Sequence, residues 1–153
     1  MSPDPVLLSL RWLDPEKSKD LALPAYHSDL AAGMDVAAAI TSPLALEPGE
    51  IILVPTGFAV AVPAGYELQV RPRSGLAVKH GVTVINSPGT VDADYRGEVK
   101  VGLVNLSRAT FTVNRGDRIA QLVLAPVCRA RIHVVEVLDV TERGEGGFGH
   151  SGR

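Results

Sequence analysis

The last eleven residues contain groups that could bind a flat, charged ligand. They read RGEGGFGHSGR, in which five glycines surround Arg143 and the aromatic Phe148. Glycine loses more backbone entropy on ordering than any other residue, so this segment cannot fold by itself. Glycine amides could approach phosphates, Arg143 could neutralise charge, and Phe148 could stack on a ring. The pattern predicts a flap that orders over a ligand, and a disordered tail is the alternative.

Two other polar segments could bind a cation or a phosphate. Asp35 is the only charge in AAGMDVA, where a carboxylate either accepts hydrogen bonds in a turn or holds water around a cation. Arg71 and Arg73 precede Ser74, which we expect to cap a short helix. The amides and dipole of that helix would attract an anion, and Arg73 would add a bidentate phosphate donor. An ordinary capped helix with surface arginines is the alternative.

The segment VINSPGTVDADYRGE contains two carboxylates and an aromatic ring. We interpret it as a hairpin around Ser-Pro-Gly, followed by a tight turn at Arg96 and Gly97. Asp92 and Asp94 are two residues apart, so on a strand they would share a face. Asp92 could act as a general base, because an exposed carboxylate is ionised near neutral pH. Tyr95 could lie flat beneath a sugar, and a solvated acidic turn is the alternative.

Gln121 is a polar residue inside an otherwise apolar run. A buried glutamine needs hydrogen-bond partners, which could be a ligand or merely neighbouring backbone. Upstream of it, Arg115-Gly-Asp117 is most simply a turn.

Composition limits the kind of protein that carries these groups. The 153 residues suffice for one domain with a real core, and the net charge of −2 gives no basic surface for duplex nucleic acid. Cys128 is the single cysteine, which excludes an intrachain disulfide and a cysteine-rich metal site. The sequence contains neither a signal-peptide pattern nor a membrane-length apolar run. We therefore expect a cytoplasmic protein that binds neither nucleic acid nor a membrane.

The elements that position the polar segments are predicted to be short strands. Apolar runs alternate with turn residues, and residues 98–103 alternate polar and apolar side chains with a period of two. One short helix is expected over Ser74–His80, ended by Gly81. Many evenly spaced strands predict an all-β sandwich or jelly roll. The predicted strands cover residues 6–13, 51–54, 58–62, 67–70, 82–85, 98–104, 110–113, 119–127 and 132–138.

The chain is predicted to have one folded domain and one tail. The folded domain covers residues 1–140, and we find no internal repeat. Residues 141–153 are rich in glycine and form the predicted flexible flap.

Five segments, in this order, resemble the trimeric dUTPase family. They read AGMD, PRSGLA, NSPGTVDADYRG, RGDRIAQL and RGEGGFG, and the resemblance covers nearly the whole chain. It implies a jelly roll or distorted barrel, assembled as a homotrimer with active sites at subunit boundaries. It also implies Mg²⁺-dependent hydrolysis of dUTP to dUMP and pyrophosphate, which keeps uracil out of DNA and supplies dUMP for thymidylate synthesis.

The resemblance implies roles for the phosphate-binding and catalytic residues. Asp92 would activate the water that attacks the α-phosphorus. Gln121 would hold phosphate and this water, and Asp35 would hold the magnesium shell through water. Arg143 would reach in as an arginine finger, a device worth roughly 10³–10⁵ in rate in related chemistry. The remaining phosphate contacts would come from Arg73, Ser74 and Gly75.

The resemblance also implies how the base and the sugar are recognised. Tyr95 would pack under deoxyribose and exclude a 2′-hydroxyl, while Phe148 and the adjacent Gly149 would cover the nucleotide. A narrow pocket would leave no room for the methyl group of thymine. The uracil pocket would be lined by Asn86, Thr90, Val91, Asp92 and Lys100.

One residue departs from the family pattern, and two other functions remain open. His150 stands where the family usually has serine, so the serine hydroxyl contact is lost. The related dCTP deaminases share the fold and the trimer, but Gly102 occupies the position of their catalytic glutamate. A non-enzymatic jelly-roll protein that senses dUTP is the other alternative.

Overall fold

The computed structural model describes residues 5–147, which are mostly β structure with one short helix. This confirms the predicted all-β class with its single helix. The strands are β1 Ser9–Trp12, β2 Met34–Ala37, β3 Leu44–Leu46, β4 Ile51–Ala61, β5 Tyr66–Arg71, β6 Val82–Val84, β7 Gly89–Val91, β8 Glu98–Asn105, β9 Phe111–Val113 and β10 Arg118–Pro126, and the helix is α1 Ser74–His80.

Two four-stranded antiparallel sheets share one hydrophobic core. The first sheet has the order β1-β4-β8-β6, the second has the order β2-β10-β5-β7, and β3 pairs with β9. Side chains of both sheets meet in the core, and its largest fully buried members include Phe58, Leu68, Leu103 and Leu122. The core therefore fixes the second sheet, which carries Asp35 and Gln121 and leads from β5 into α1.

The alternation predicted for residues 98–103 is present in β8. Val99, Val101 and Leu103 are buried, whereas Lys100 is exposed. Successive side chains of a strand point to opposite faces, so Lys100 and Gly102 lie on the face away from the core. The strand ends at Asn105, whose buried amide donates to two backbone carbonyl oxygens.

Two predictions about how neighbouring strands are connected were wrong. The predicted strands 51–54 and 58–62 are one strand, β4, whose pairing with β8 shifts register between Pro55 and Ala59. The predicted hairpin around Ser-Pro-Gly does not form, because β6 pairs with β8 in the first sheet and β7 pairs with β5 in the second. The segment between β6 and β7 therefore crosses from one sheet to the other.

The turn predicted at Arg115-Gly-Asp117 is confirmed, and Arg115 fixes the N-terminal segment. The amide of Asp117 donates to Asn114 O over 3.1 Å, and Gly116 has φ of 82°. The guanidinium of Arg115 donates to both carboxylate oxygens of Asp20, each over 2.7 Å. These hydrogen bonds lower the pKa of Asp20 below its ordinary value of 3.8. The contact is therefore present at neutral pH and is lost only as the pH falls through that lowered pKa.

The chain after β10, residues 127–147, is named here the C-terminal arm. The strand predicted over 132–138 is absent from it. A strand needs a partner for its backbone hydrogen bonds, and no sheet edge of the described chain supplies one. Its apolar side chains are mostly exposed, namely Ile132 88%, Val134 88%, Val137 82%, Leu138 78% and Val140 97%.

The boundary predicted at residue 140 stays a prediction, although the last strand ends earlier, at Pro126. Phe148 and Gly149, like His150, lie outside the described residues. Between residues 5 and 147, no helix is long and apolar enough to cross a membrane.

Candidate active site

The second sheet brings together the candidate phosphate-binding residues. Gln121 on β10 pairs with Asp35 on β2 and with Arg71 on β5. The side-chain amide of Gln121 donates to the carbonyl oxygen of Pro72 over 3.0 Å. Gln121 therefore bonds neighbouring backbone in this state, one of its two predicted partners. We name the residues that gather here the sheet group: Asp35, Arg73, Ser74, Gly75 and Gln121.

Asp35 lies between two guanidinium groups. Its Oδ1 accepts a hydrogen bond from Arg73 Nε over 3.2 Å, and its Oδ2 accepts one from Arg118 Nη1 over 3.1 Å. The Nε2 of His27 is 3.4 Å from the same Oδ2. The carboxylate is in strand β2, so the turn interpretation of Asp35 was wrong. This part of the site carries two cations around one anion.

A β-bulge explains why the sequence did not reveal Arg118. Arg118 pairs with Ala37, but Ala120 pairs with Val36, so β10 has one extra residue here. Side chains three apart normally point to opposite faces, and the extra residue returns Arg118 to the face of Gln121. Ile119 and Ala120 are accordingly both buried. Regular alternation along β10 would place Arg118 on the face opposite Gln121, so the sequence pattern did not indicate it. His27 lies in a loop, where no recognisable motif indicated it either.

The capping role predicted for Ser74 was wrong. The extended N-cap residue of α1 is Arg73, Ser74 is the first helical residue, and no side chain caps the helix. Arg73 cannot cap because a guanidinium has no acceptor for a backbone N–H, and its side chain instead donates to Asp35 and to the carbonyl oxygen of Arg118. The first amides of α1 thus have no intrahelical acceptor. Gly81 ends the helix in the left-handed conformation, as predicted.

The candidate base-binding residues lie on or beside the segment between the two sheets. Asn86 lies between two glycines: a Cβ at Gly89 would be 3.0 Å from its Nδ2, and one at Gly102 would be 3.7 Å from its Oδ1. Gly102 shares the outer face of β8 with Lys100. We name this set the loop group: Asn86, Thr90, Val91, Asp92, Tyr95 and Lys100.

A turn after β7 presents the carboxylate of Asp92. The amide of Tyr95 donates to Asp92 O over 3.1 Å, and Asp92 and Asp94 are both exposed. They lie in this turn and not on a strand, so their predicted shared strand face was wrong. The hydroxyl of Tyr95 donates to Glu98 O over 3.0 Å. A Cβ at Gly97 would be 2.3 Å from that hydroxyl, so Tyr95 can fold back over the turn because residue 97 is glycine.

The two groups are far apart within one chain. On β5, Arg71 lies opposite Gln121, while Leu68 lies opposite Val91, the residue before Asp92. Gln121 and Asp92 are thus about 13 Å apart along the strands and two strands apart across the sheet, or roughly 16 Å in total. One water molecule cannot contact both side chains of a single chain.

Arg143 belongs to neither group in this state. Its Nε donates to the carbonyl oxygen of Gly146 over 2.7 Å, within the C-terminal arm. The side chain is exposed.

Comparisons with known proteins agree with these segments. A dUTPase family model matches residues 19–152. The chain is 64% identical over 141 residues to the deoxyuridine 5'-triphosphate nucleotidohydrolase of Desulfotalea psychrophila, covering 92% of this chain and 94% of that protein. It is 58% identical over 134 residues to the enzyme of the same name from Maricaulis maris, covering 86% and 88%.

Solved structures resemble the fold as well. The dUTPase of Staphylococcus bacteriophage 80alpha with dUpNHpp superposes with a TM-score of 0.84 at 28% identity, covering 96% of this chain and 99% of that chain. A mutant dUTPase of S. aureus phage phi11, described with a structural Mg(II) ion, gives 0.76 at 25% identity, covering 88% and 100%. The sheets and the polar segments thus define a dUTPase-type fold. The chain belongs to the dUTPase family.

Gly33→Ala should displace the side chain of Gln121. A Cβ at Gly33 would lie 2.1 Å from Gln121 Oε1, so the amide must move and lose its bond to Pro72. A crystal structure of the variant checks this. Gly75→Ala is the control, because a Cβ at Gly75 meets nothing within 4 Å. If Gln121 keeps its position in Gly33→Ala, the close packing described here is wrong.

Proposed function

We propose that the protein hydrolyses dUTP to dUMP and pyrophosphate in sites that combine the sheet group of one chain with the loop group of another. The activity rests on family membership and on the two enzymes at 58% and 64% identity. The observation that carries the composite site is the separation of roughly 16 Å between Asp92 and Gln121 along the paired strands.

The loop group would bind the base and activate water. The exposed amide of Asn86 lies beside Gly89 and Gly102, so it would offer the uracil edge a donor and an acceptor, next to the backbone of β7 and of Lys100. Tyr95 would support the deoxyribose. The carboxylate of Asp92 would accept the proton of the attacking water, and its exposed position lets that water reach it.

The sheet group would bind the phosphates. Arg73 is already oriented by Asp35, and the first amides of α1, at Ser74 and Gly75, point outward without intrahelical acceptors. Gln121 would orient phosphate oxygens or the water. Such a site works by positioning and by neutralising charge, and its preorganised donors require no rearrangement during the reaction.

The residues fit a Mg²⁺ ion that arrives with the nucleotide. Across residues 5–147, no cluster of three or more His, Cys, Asp or Glu side chains could hold a metal. Mg²⁺ commonly keeps several waters and binds one or two carboxylates together with substrate phosphates. Asp35 would contact that water shell. When bound, Mg²⁺ would neutralise phosphate charge; the chain's own contribution is to orient Asp35 through Arg73 and Arg118.

We propose a homotrimer of jelly-roll subunits as the assembly. The C-terminal arm has exposed Ile132, Val134 and Val137 and pairs with no strand within residues 5–147, and such an apolar segment favours an interface. A neighbouring sheet edge would satisfy its backbone hydrogen bonds. The arm would also carry Arg143 toward a neighbouring site.

The flap of residues 141–153 is part of the same proposal. Arg143 would reach the phosphates, and Phe148 with Gly149 would cover the uracil. Cytoplasmic location stays a prediction.

The protein should release pyrophosphate from dUTP with Mg²⁺, and much more slowly from dTTP, dCTP or UTP. The reason is that the amide of Asn86, beside the β7 backbone, would match the donor and acceptor pattern of the uracil edge. Assays of pyrophosphate and of ammonia, run on all four nucleotides, measure it.

Ammonia release from dCTP would instead support the deaminase alternative. A Cβ at Gly102 would be 3.1 Å from Ile85, so a glutamate there would crowd Ile85. Tight dUTP binding without turnover would support the sensor alternative.

Asp92→Asn should lower kcat by several orders of magnitude and leave dUTP affinity nearly unchanged. The amide keeps the shape of the side chain but cannot accept the proton of water. Asp94→Asn is a matched control, since it removes the same charge from the same exposed turn. We expect that control to stay within about threefold of the wild-type rate. Equal losses in both variants would remove Asp92 from the base role.

Light scattering should give the mass of three chains at working concentration. Val134→Asp should weaken this association, because a charge on an apolar face opposes its burial. His133→Asp adds a charge at the neighbouring, exposed position, which a strand would place on the opposite face. It should therefore assemble normally. A monomeric wild type would contradict the proposed assembly.

A further inference from the structure

Arg118 lies in the RGDRIAQL segment, but the resemblance to the dUTPase family implied no role for it. Its side chain is half exposed, and its Nη1 donates to Asp35 Oδ2 over 3.1 Å. Its own carbonyl oxygen accepts a hydrogen bond from Arg73 Nη1 over 3.0 Å. Arg118 therefore contacts both partners of the Arg73–Asp35 ion pair, one through its side chain and one through its backbone.

We infer that Arg118 is a positioning residue that holds Asp35 and Arg73 in the arrangement that receives the triphosphate. The inference rests on the proposed function. The bulge in β10 is the structural device behind it, because it turns Arg118 to the face of Gln121 and Asp35. Without the extra residue, the side chain would point to the opposite face.

The charge of the cluster gives Arg118 its effect. Arg73 and Asp35 alone would neutralise each other, leaving little attraction for an anion. Arg118 adds a second cation, so the cluster keeps a net positive charge, while Asp35 remains paired through both oxygens. A triphosphate, with several negative charges, gains more from this charge than a monophosphate does.

Arg115, the other arginine of the 114–118 segment, cannot replace Arg118. Its guanidinium is held by both oxygens of Asp20 and by the carbonyl oxygen of Ile40. Between residues 5 and 147, by contrast, every hydrogen bond of the Arg118 side chain involves Nη1. Apart from a 3.5 Å approach to His27 Nε2, the side-chain partner of Arg118 in that range is Asp35, so its charge acts on the carboxylate.

The test measures binding and turnover separately. Arg118→Met should raise the dissociation constant for a non-hydrolysable dUTP analogue about 10- to 100-fold, the usual effect of losing charged hydrogen bonds. The dissociation constant for dUMP should change less than about threefold, and Arg118→Lys should recover part of the loss. Arg108→Met is the control, since Arg108 is an exposed arginine away from the sheet group, and it should bind like the wild type.

A double variant tests the positioning role. Because Arg118 acts through Asp35, the effect of Arg118→Met on kcat/KM should shrink at least about threefold in an Asp35→Asn background. Effects that simply multiply, or equal losses for the analogue and for dUMP, would overturn the inference. If Arg118→Met does not fold, Arg118→Gln undergoes the same comparisons. A wild-type protein that fails to hydrolyse dUTP would instead refute the proposed function.

Discussion

The register of β10 between β2 and β5 is the constraint on which the rest of the site depends. It places Gln121 beside Asp35 on one side and beside Arg71 on the other. The core fixes this register, because a slip of one residue would expose Leu122, whose side chain is fully buried. Arg73 follows directly from β5, so its reach to Asp35 depends on the same pairing. Apolar packing thus sets the geometry of a charged site.

The same register separates the two halves of the chemistry. Most of the loop group lies on or beside β7, at the edge of the second sheet, whereas the sheet group lies around β2, β10 and the end of β5. Within a single chain, Asp92 and Gln121 are therefore roughly 16 Å apart, too far for one water molecule to contact both. The exposed C-terminal arm is consistent with this division, since among the described residues it pairs with no strand. The unpaired C-terminal arm and the separation of the sheet group from the loop group both favour the association of several chains.

Much of the fold could be predicted because local sequence patterns determine where its strands and its helix form. The alternation in β8 and the Gly81 end of α1 reflect single-residue geometry, and both were found in the structure. Features that depend on distant pairing were not predictable. The hairpin expected around Ser-Pro-Gly failed because β6 and β7 have better partners in different sheets. The strand expected at 132–138 has the right residues but pairs with no sheet edge among residues 5–147.

Part of the candidate site could likewise be predicted from the sequence, and part could not. Residue types indicated Asp35, Arg73 and Gln121, and the structure brings these three together. Arg118 was not predicted, because a bulge in β10 turns its side chain to the other face of the strand. No sequence pattern marks the extra residue that forms this bulge. The capping role predicted for Ser74 was wrong because the helix begins one residue earlier than that role requires, which places Arg73 at the N-cap position.

Subunit complementation tests the central claim, that each active site uses two chains, most directly. Asp92→Asn and Gln121→Ala chains, each inactive alone, are unfolded, mixed in equal amounts and refolded together. If one chain supplies Asp92 and another supplies Gln121, random mixing leaves about a quarter of the sites with both residues intact. We predict recovery of up to that fraction of wild-type dUTP turnover. A mixture no more active than its two separate components would contradict the composite site.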